Sequence, residues 1–138
     1  MTLQISFFNI WAIVVCIISN MVIGALWYSP VLFGNTWLRL TGKKQDDISK
    51  ADSNKAMLLG LIPATVLIIL LAFMIAFINT STLIDGLIIG SITSAGFIGM
   101  SAFNLVLYED RSFKLTLINT GYSFVSLNVA AVILTLWK

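Results

Sequence analysis

Four polar but uncharged side chains within otherwise apolar segments are the residues of this chain best suited to form a binding site: Asn20, Asn104, Asn119 and Tyr122. Amide and phenol groups donate and accept hydrogen bonds without carrying a charge. Brought together, they would hold a small solute or a polar headgroup. No charged residue lies near the centre of an apolar segment, so the usual marker of a proton relay or ion pathway is missing.

The composition argues against several other kinds of chemistry. The chain has no histidine and one cysteine, Cys16. No set of metal ligands and no pair of nucleophile and base can be assembled from the remaining residues. The sequence therefore predicts a protein that is not an enzyme and that holds no metal or other cofactor. For Cys16, inside an apolar segment, packing is the expected role.

Four long apolar segments must position the polar residues. They cover about residues 7–29, 56–78, 83–107 and 113–137, and 59% of the 138 residues are hydrophobic. Helices of this length, with a rise of ~1.5 Å per residue, cross a hydrocarbon layer of ~30 Å. The predicted fold is an all-α membrane protein, a single domain over residues 1–138 that forms a bundle of four transmembrane helices.

The charges between the segments predict the orientation. Seven of the eight Lys and Arg residues lie in residues 39–55 and 111–114. Because positively charged loops stay on the inner side, both of these loops are expected to be cytoplasmic and both termini outside. Topology accounts for the net charge of +2, so no nucleic-acid partner is expected.

The connection between the first two spans carries helix signals of its own. Pro30 ends span 1, and Val31–Leu40 is amphipathic, which predicts a short interfacial helix that ends at Gly42. The polar segment Gln45–Lys55 predicts a second short cytoplasmic helix.

Further signals mark the other spans. A kink is expected at Pro63. Thr82 and Asp85 match a capping box for span 3, and Ser112 is the expected N-cap of span 4. Small residues in span 3 predict a close helix contact, and we expect a homo-oligomer, with a dimer favoured. Gly90, Ala95 or Gly99 is expected to support that contact, either within one chain or between two.

Depth along the helices groups the polar residues. Asn104 and Asn119 lie at similar distances from the turn near Arg111, and Asn20 and Tyr122 lie deeper at a common level. This predicts a polar vestibule in the cytoplasmic half, lined by spans 1, 3 and 4. The alternative is that the same side chains only hydrogen-bond between helices, for ~0.6 kcal/mol each. Considered alone, their lack of charge favours that alternative.

Four more residues are predicted to meet at the inner rim of the bundle: Trp27, Tyr28, Glu109 and Arg111. Glu109 and Arg111 lie at the turn between spans 3 and 4, at the membrane level where Pro30 ends span 1. We expect both to contact residues 27–34 and to hold the two cytoplasmic corners together.

Two signatures carry a resemblance to a known family. One is the W-Y-x-P-x-x-F-G run from Trp27 to Gly34, and the other joins residues 109–112 to residues 119–122. Together they resemble the small bacterial membrane proteins of domain-of-unknown-function family 1761, over essentially the whole chain. The resemblance implies a four-helix protein of the bacterial inner-membrane type and assigns no reaction or substrate. Its signatures converge on the cytoplasmic half, which favours a functional vestibule.

Two classes of function follow from these patterns. In the first, the vestibule serves small-solute transport or permeation. In the second, the protein is a non-transporting scaffold, assembly partner or lipid-binding module. Membrane lipids and further copies of the chain are the expected partners in both.

Overall fold

The computed structural model describes residues 9–138, and the predicted start of span 1 at residue 7 lies outside them. The helices are α1 (Ile10–Trp27), α2 (Gly34–Thr41), α3 (Lys50–Ile78), α4 (Leu83–Ser91), α5 (Met100–Tyr108) and α6 (Phe113–Leu136). A π-helical segment, Ile92–Gly99, joins α4 to α5. Within the described residues, four helices are long and apolar enough to cross a membrane: α1, α3, the continuous Leu83–Tyr108 helix, and α6. The all-α fold with a short helix between the first two spans is thereby confirmed.

Polar side chains fix where α3, α4 and α6 begin. Thr82 and Asp85 form the predicted capping box at the start of α4. The Ser112 hydroxyl accepts from the Leu115 backbone at the start of α6, also as predicted. Ser49 caps α3 by accepting from the Asp52 backbone. Each cap provides an acceptor for an N–H group that has no partner inside its helix.

Helix α6 lies at the centre of the bundle and contacts α1, α3 and α4. The core between them contains small residues such as Ala12, Cys16 and Ala131, and larger ones such as Ile68 and Leu71. The small residues allow the helix backbones to approach closely, which is how helices associate in a lipid environment.

The glycines of α4 allow the closest of these approaches. A Cβ atom at Gly90 would lie 2.8 Å from the Asn128 Cα, and one at Gly86 would lie 3.1 Å from the Ala131 carbonyl oxygen. Asn128 also accepts a hydrogen bond from the Ser91 hydroxyl. The close contact predicted for Gly90 is therefore made within the chain, to α6. By contrast, Ala95 is exposed and a Cβ at Gly99 meets only Ser94 at 3.4 Å. The homo-oligomer stays a prediction.

The polar segment before span 2 folds differently from the prediction. Instead of a separate helix over Gln45–Lys55, a 3₁₀ turn covers Gln45–Asp47 and α3 begins at Lys50. No helix breaker separates Lys50 from the apolar run, so the polar residues become the first turns of one 29-residue helix. The helix runs on through Pro63, and the kink expected there stays a prediction.

Candidate functional site

Asn20 is the centre of a hydrogen-bonded junction between α1 and α6. The Tyr122 hydroxyl donates to the Asn20 side-chain oxygen at 2.9 Å. The Ser126 hydroxyl donates to the same oxygen. The amide nitrogen of Asn20 makes no hydrogen bond within residues 9–138, so both of its N–H donors remain free.

Two successive aromatic residues attach the end of α1 to α6. The Trp27 indole N–H donates to the Ile118 carbonyl oxygen at 2.9 Å, and the Tyr28 hydroxyl donates to Asn119 Oδ1 at 2.9 Å. The Trp27 ring lies against Gly121, where a Cβ atom would approach Cζ2 to 3.0 Å. These contacts fix the orientation of the Tyr28 ring.

The turn between α1 and α2 depends on Gly34. Its N–H donates to the Ser29 carbonyl oxygen at 2.9 Å, and the Phe33 N–H donates to the Trp27 carbonyl oxygen at 3.0 Å. A Cβ atom at Gly34 would lie only 2.3 Å from the Tyr28 carbonyl oxygen. The W-Y-x-P-x-x-F-G signature is thus a tight corner, and it sets the position of α2 and of Trp37 within it.

A cavity of about 900 Å³ lies between α1, α2 and the first turns of α3. We call it the vestibule. Asn20 and Tyr122, the lining residues of α1 and α6 that lie furthest from the loop, are called its floor here. Tyr28 lines it from α1, Trp37 from α2 and Gly60 from α3. Three charged side chains line it towards the loop that follows α2: Lys43, Asp47 and Asp52.

Beyond the floor, the space between α1 and α6 is closed by packed side chains. Cys16 is fully buried one turn from Asn20, and its thiol donates to the Ala130 carbonyl oxygen at 3.6 Å. Ala12, Ala130 and Ala131 fill the next layer with almost no exposed surface. The floor of the vestibule therefore lies against packed side chains, and its lining extends from there to the basic loop. The burial and hydrogen bond of Cys16 fit its predicted packing role.

Of the four predicted vestibule residues, the structure brings Asn20 and Tyr122 into direct contact and places Asn119 nearby, on Tyr28. It does not bring in Asn104, whose side chain is exposed on α5 and makes no hydrogen bond within residues 9–138. Counting residues from a turn gives depth but not rotation about the helix axis. The π-helical segment before α5 adds to this, because a π turn holds more residues than an α turn.

Span 3, the Leu83–Tyr108 helix, was predicted to line the vestibule. The lining comes instead from α2 and from α3, which is the second span. Trp37, Asp52 and Gly60 line the vestibule, and none of them was predicted to do so. A signal was present in the sequence: the amphipathic segment around Trp37 and the polar one around Asp52 both flank the entry to the bundle.

The predicted contact of Glu109 and Arg111 with residues 27–34 stays a prediction. Their side chains pair with each other at 3.3 Å and are 53% and 58% exposed. Within the described part of the chain, neither side chain hydrogen-bonds to residues 27–37. Trp27 and Tyr28, the other two residues predicted for the inner rim, connect the end of α1 to α6.

These contacts give a first testable expectation. Arg111→Ala should change the free energy of unfolding by less than ~1 kcal/mol, because exposed ion pairs contribute little. Trp27→Leu should cost more, since it removes both the hydrogen bond to Ile118 and the ring contact with Gly121. Thermal unfolding of both variants in the same detergent measures the difference, and an equal or larger loss for Arg111→Ala would contradict it.

The fold and the site together define a small helical protein that has four helices long and apolar enough to cross a membrane, and a vestibule with polar groups at its floor. The chain belongs to the family described as "Protein of unknown function (DUF1761)", whose family model matches residues 11–135. No curated protein and no solved structure matches it.

Proposed function

We propose that this integral membrane protein binds a small solute or a lipid headgroup in the vestibule, which opens to the cytoplasm through the basic loops, with both termini outside. The observation that carries the proposal is the cavity of about 900 Å³ with a neutral, hydrogen-bonded floor. Interhelical hydrogen bonding alone does not require a recess of this size beside the bonded groups.

The unused hydrogen-bond donors support binding as well. The oxygen of Asn20 is occupied by Tyr122 and Ser126, while its amide N–H groups have no partner in the described residues. A ligand in the vestibule offers an acceptor to them. Interhelical hydrogen bonding and ligand binding are thus compatible at Asn20. Its side-chain oxygen joins the helices, and its amide nitrogen remains available for a ligand.

Transport of the same ligand is a second candidate function. It requires the layer beyond the floor to open, and that layer consists of small side chains, Ala12, Cys16, Ala130 and Ala131. Small residues let helices shift against one another without unpacking large groups. Uptake of a ligand into sealed vesicles, measured after its binding is established, separates transport from binding alone.

Filling the vestibule tests the proposal. A Cβ atom at Gly60 meets nothing within 4 Å, so Gly60→Trp should fold and occupy the cavity. Gly96→Trp is the matched control, because Gly96 also has nothing within 4 Å and does not line the vestibule. We expect amines, amino acids, sugars and headgroup analogues, screened by thermal shift, to include a compound that stabilises the wild type and Gly96→Trp but not Gly60→Trp.

Two outcomes would contradict the proposal. One is a screen in which no compound stabilises the wild type. The other is a set of stabilising compounds that act equally on the wild type and on Gly60→Trp, because their site would then lie outside the vestibule.

A further inference from the structure

Three aromatic rings line the vestibule: Tyr28, Trp37 and Tyr122. The Tyr28 and Trp37 centroids are 6.0 Å apart at an interplanar angle of 74°, and the Tyr28 and Tyr122 centroids are 5.5 Å apart at 59°. Both tyrosine hydroxyls are hydrogen-bonded: that of Tyr28 donates to Asn119 and that of Tyr122 donates to Asn20. The rings are thus fixed at steep angles to one another, an arrangement suited to a cation because π faces attract positive charge.

One cation already lies on this aromatic wall. The Lys43 ammonium is 5.5 Å from the centre of the Trp37 ring, within the range of a cation–π contact. Lys43 belongs to the loop after α2, and its long side chain has rotatable bonds that let the ammonium leave the ring. The chain itself therefore shows that the Trp37 face accepts an ammonium group.

The charges that line the vestibule differ from those of its loop. Residues 39–55 contain five basic residues, yet Lys43 alone of them lines the cavity. Of the three aspartates in the same segment, Asp47 and Asp52 line it. Within the described residues, the ion pair found is that of Arg111 with Glu109. Neither Asp47 nor Asp52 therefore has a basic side chain within 4 Å there. The lining thus holds two acidic groups and one basic group, which favours a positively charged ligand.

We propose that the vestibule binds an organic ammonium group, which replaces the Lys43 ammonium on the Trp37 ring. This names the ligand class of the proposed function and rests on it. Asp47 and Asp52 balance the charge of the ligand, and the Asn20 amide donates to an oxygen on it. Met21, Ala25, Met57 and Leu61 also line the cavity, and they contact the apolar part of the ligand. A soluble amine and the amine headgroup of a phospholipid share this chemistry.

The test compares choline with its neutral isostere, 3,3-dimethylbutan-1-ol, which has carbon in place of nitrogen. The protein is held in nanodiscs of phosphatidylglycerol, whose headgroup contains no amine, and binding is measured by saturation-transfer NMR. We expect choline to bind the wild type about tenfold more tightly than the isostere, as a desolvated cation–π contact allows. Equal affinities for the two compounds would count against the soluble source.

Lys43 supplies the variant that distinguishes this site from simple charge attraction. Lys43→Gln removes the competing ammonium and should tighten choline binding roughly threefold or more, since a competitor on the same ring is gone. Lys44→Gln removes the same charge from a neighbouring residue that does not line the vestibule, and it should change binding less. Equal effects of the two variants would contradict the claim that choline and the Lys43 ammonium bind the same face of the Trp37 ring. Both side chains are exposed, so neither variant should disturb folding.

The lipid source is tested by thermal unfolding in nanodiscs that contain phosphatidylethanolamine or phosphatidylglycerol alone. Stabilisation by phosphatidylethanolamine that Lys43→Gln increases, without binding of soluble choline, assigns the ammonium to a headgroup. No preference for an ammonium ligand in either arm overturns the inference. The proposed function fails separately, when Gly60→Trp leaves every ligand effect unchanged. Neutral ligands that Gly60→Trp excludes, binding as tightly as their ammonium counterparts, would refute the ammonium class while leaving the vestibule intact.

Discussion

Gly34→Ala should destabilise the protein by about 3 kcal/mol and detach α2 from its position, because overpacking against backbone atoms leaves no flexible side chain to yield. The added Cβ would lie 2.3 Å from the Tyr28 carbonyl oxygen and 2.7 Å from the Ser29 carbonyl carbon and oxygen. Relief requires the corner itself to open, which breaks the hydrogen bond from the Gly34 N–H to Ser29.

Gly42→Ala, at the other end of α2, is the control for this variant. Gly42 has a φ of +70° and nothing within 4 Å of its Cβ position, so the substitution adds backbone strain without a clash. It should cost only about 1 kcal/mol, the usual penalty for a side chain in the left-handed region. Reversible unfolding in mixed micelles measures both, and a loss for Gly34→Ala no greater than that for Gly42→Ala would show that the corner is not packed as described.

A second large effect is expected where α4 meets α6. Gly90→Ala should cost about 2–3 kcal/mol, because its Cβ would lie 2.8 Å from the Cα of Asn128, closer than atoms normally approach. Gly96→Ala should be neutral or stabilising by up to about 1 kcal/mol, since alanine favours helix and nothing lies within 4 Å.

The same substitution on one span should therefore have opposite effects at two positions. Unfolding of the two variants in one detergent provides the comparison. Similar losses of stability at both positions would mean that Gly96 also packs closely, for example against a second copy of the chain. Close packing would then not be confined to the contact between α4 and α6. Similar gains would mean that the approach of α4 to Asn128 is looser than described.

The helices were predictable because hydropathy and capping act locally. The apolar runs set the length of each span, and the side chains of Thr82, Asp85 and Ser112 mark helix starts whatever the rest of the chain does. The exception is the start of α3. Ser49 caps α3, and no helix breaker lies between its polar first turns and the apolar run. A prediction that begins the span at the first apolar residue therefore starts the helix too late.

The site was predictable in depth but not in rotation. The sequence predicts Asn20 and Tyr122 at one level, and their side chains are hydrogen-bonded in the structure. The sequence also predicts Asn104 near them, yet its side chain is exposed on α5, because depth in a hairpin does not determine which neighbour a side chain faces. The contribution of Trp37 depends on the corner at Gly34, a tertiary contact that no periodicity reveals.

Thiol labelling of Gly60→Cys tests whether the vestibule opens on the basic-loop side alone. An impermeant thiol reagent is applied to right-side-out and inside-out vesicles. Ile62→Cys, two residues further along α3 and 63% exposed on the outer surface of the bundle, is the control for lipid-facing positions. Wild type reports the native Cys16, which is fully buried and should stay unlabelled.

We expect Gly60→Cys to be labelled rapidly in inside-out vesicles and not in right-side-out vesicles, while Ile62→Cys is labelled slowly in both. Labelling of Gly60→Cys from the outer side, or at the same slow rate as Ile62→Cys from both sides, would contradict a vestibule that opens to the cytoplasm.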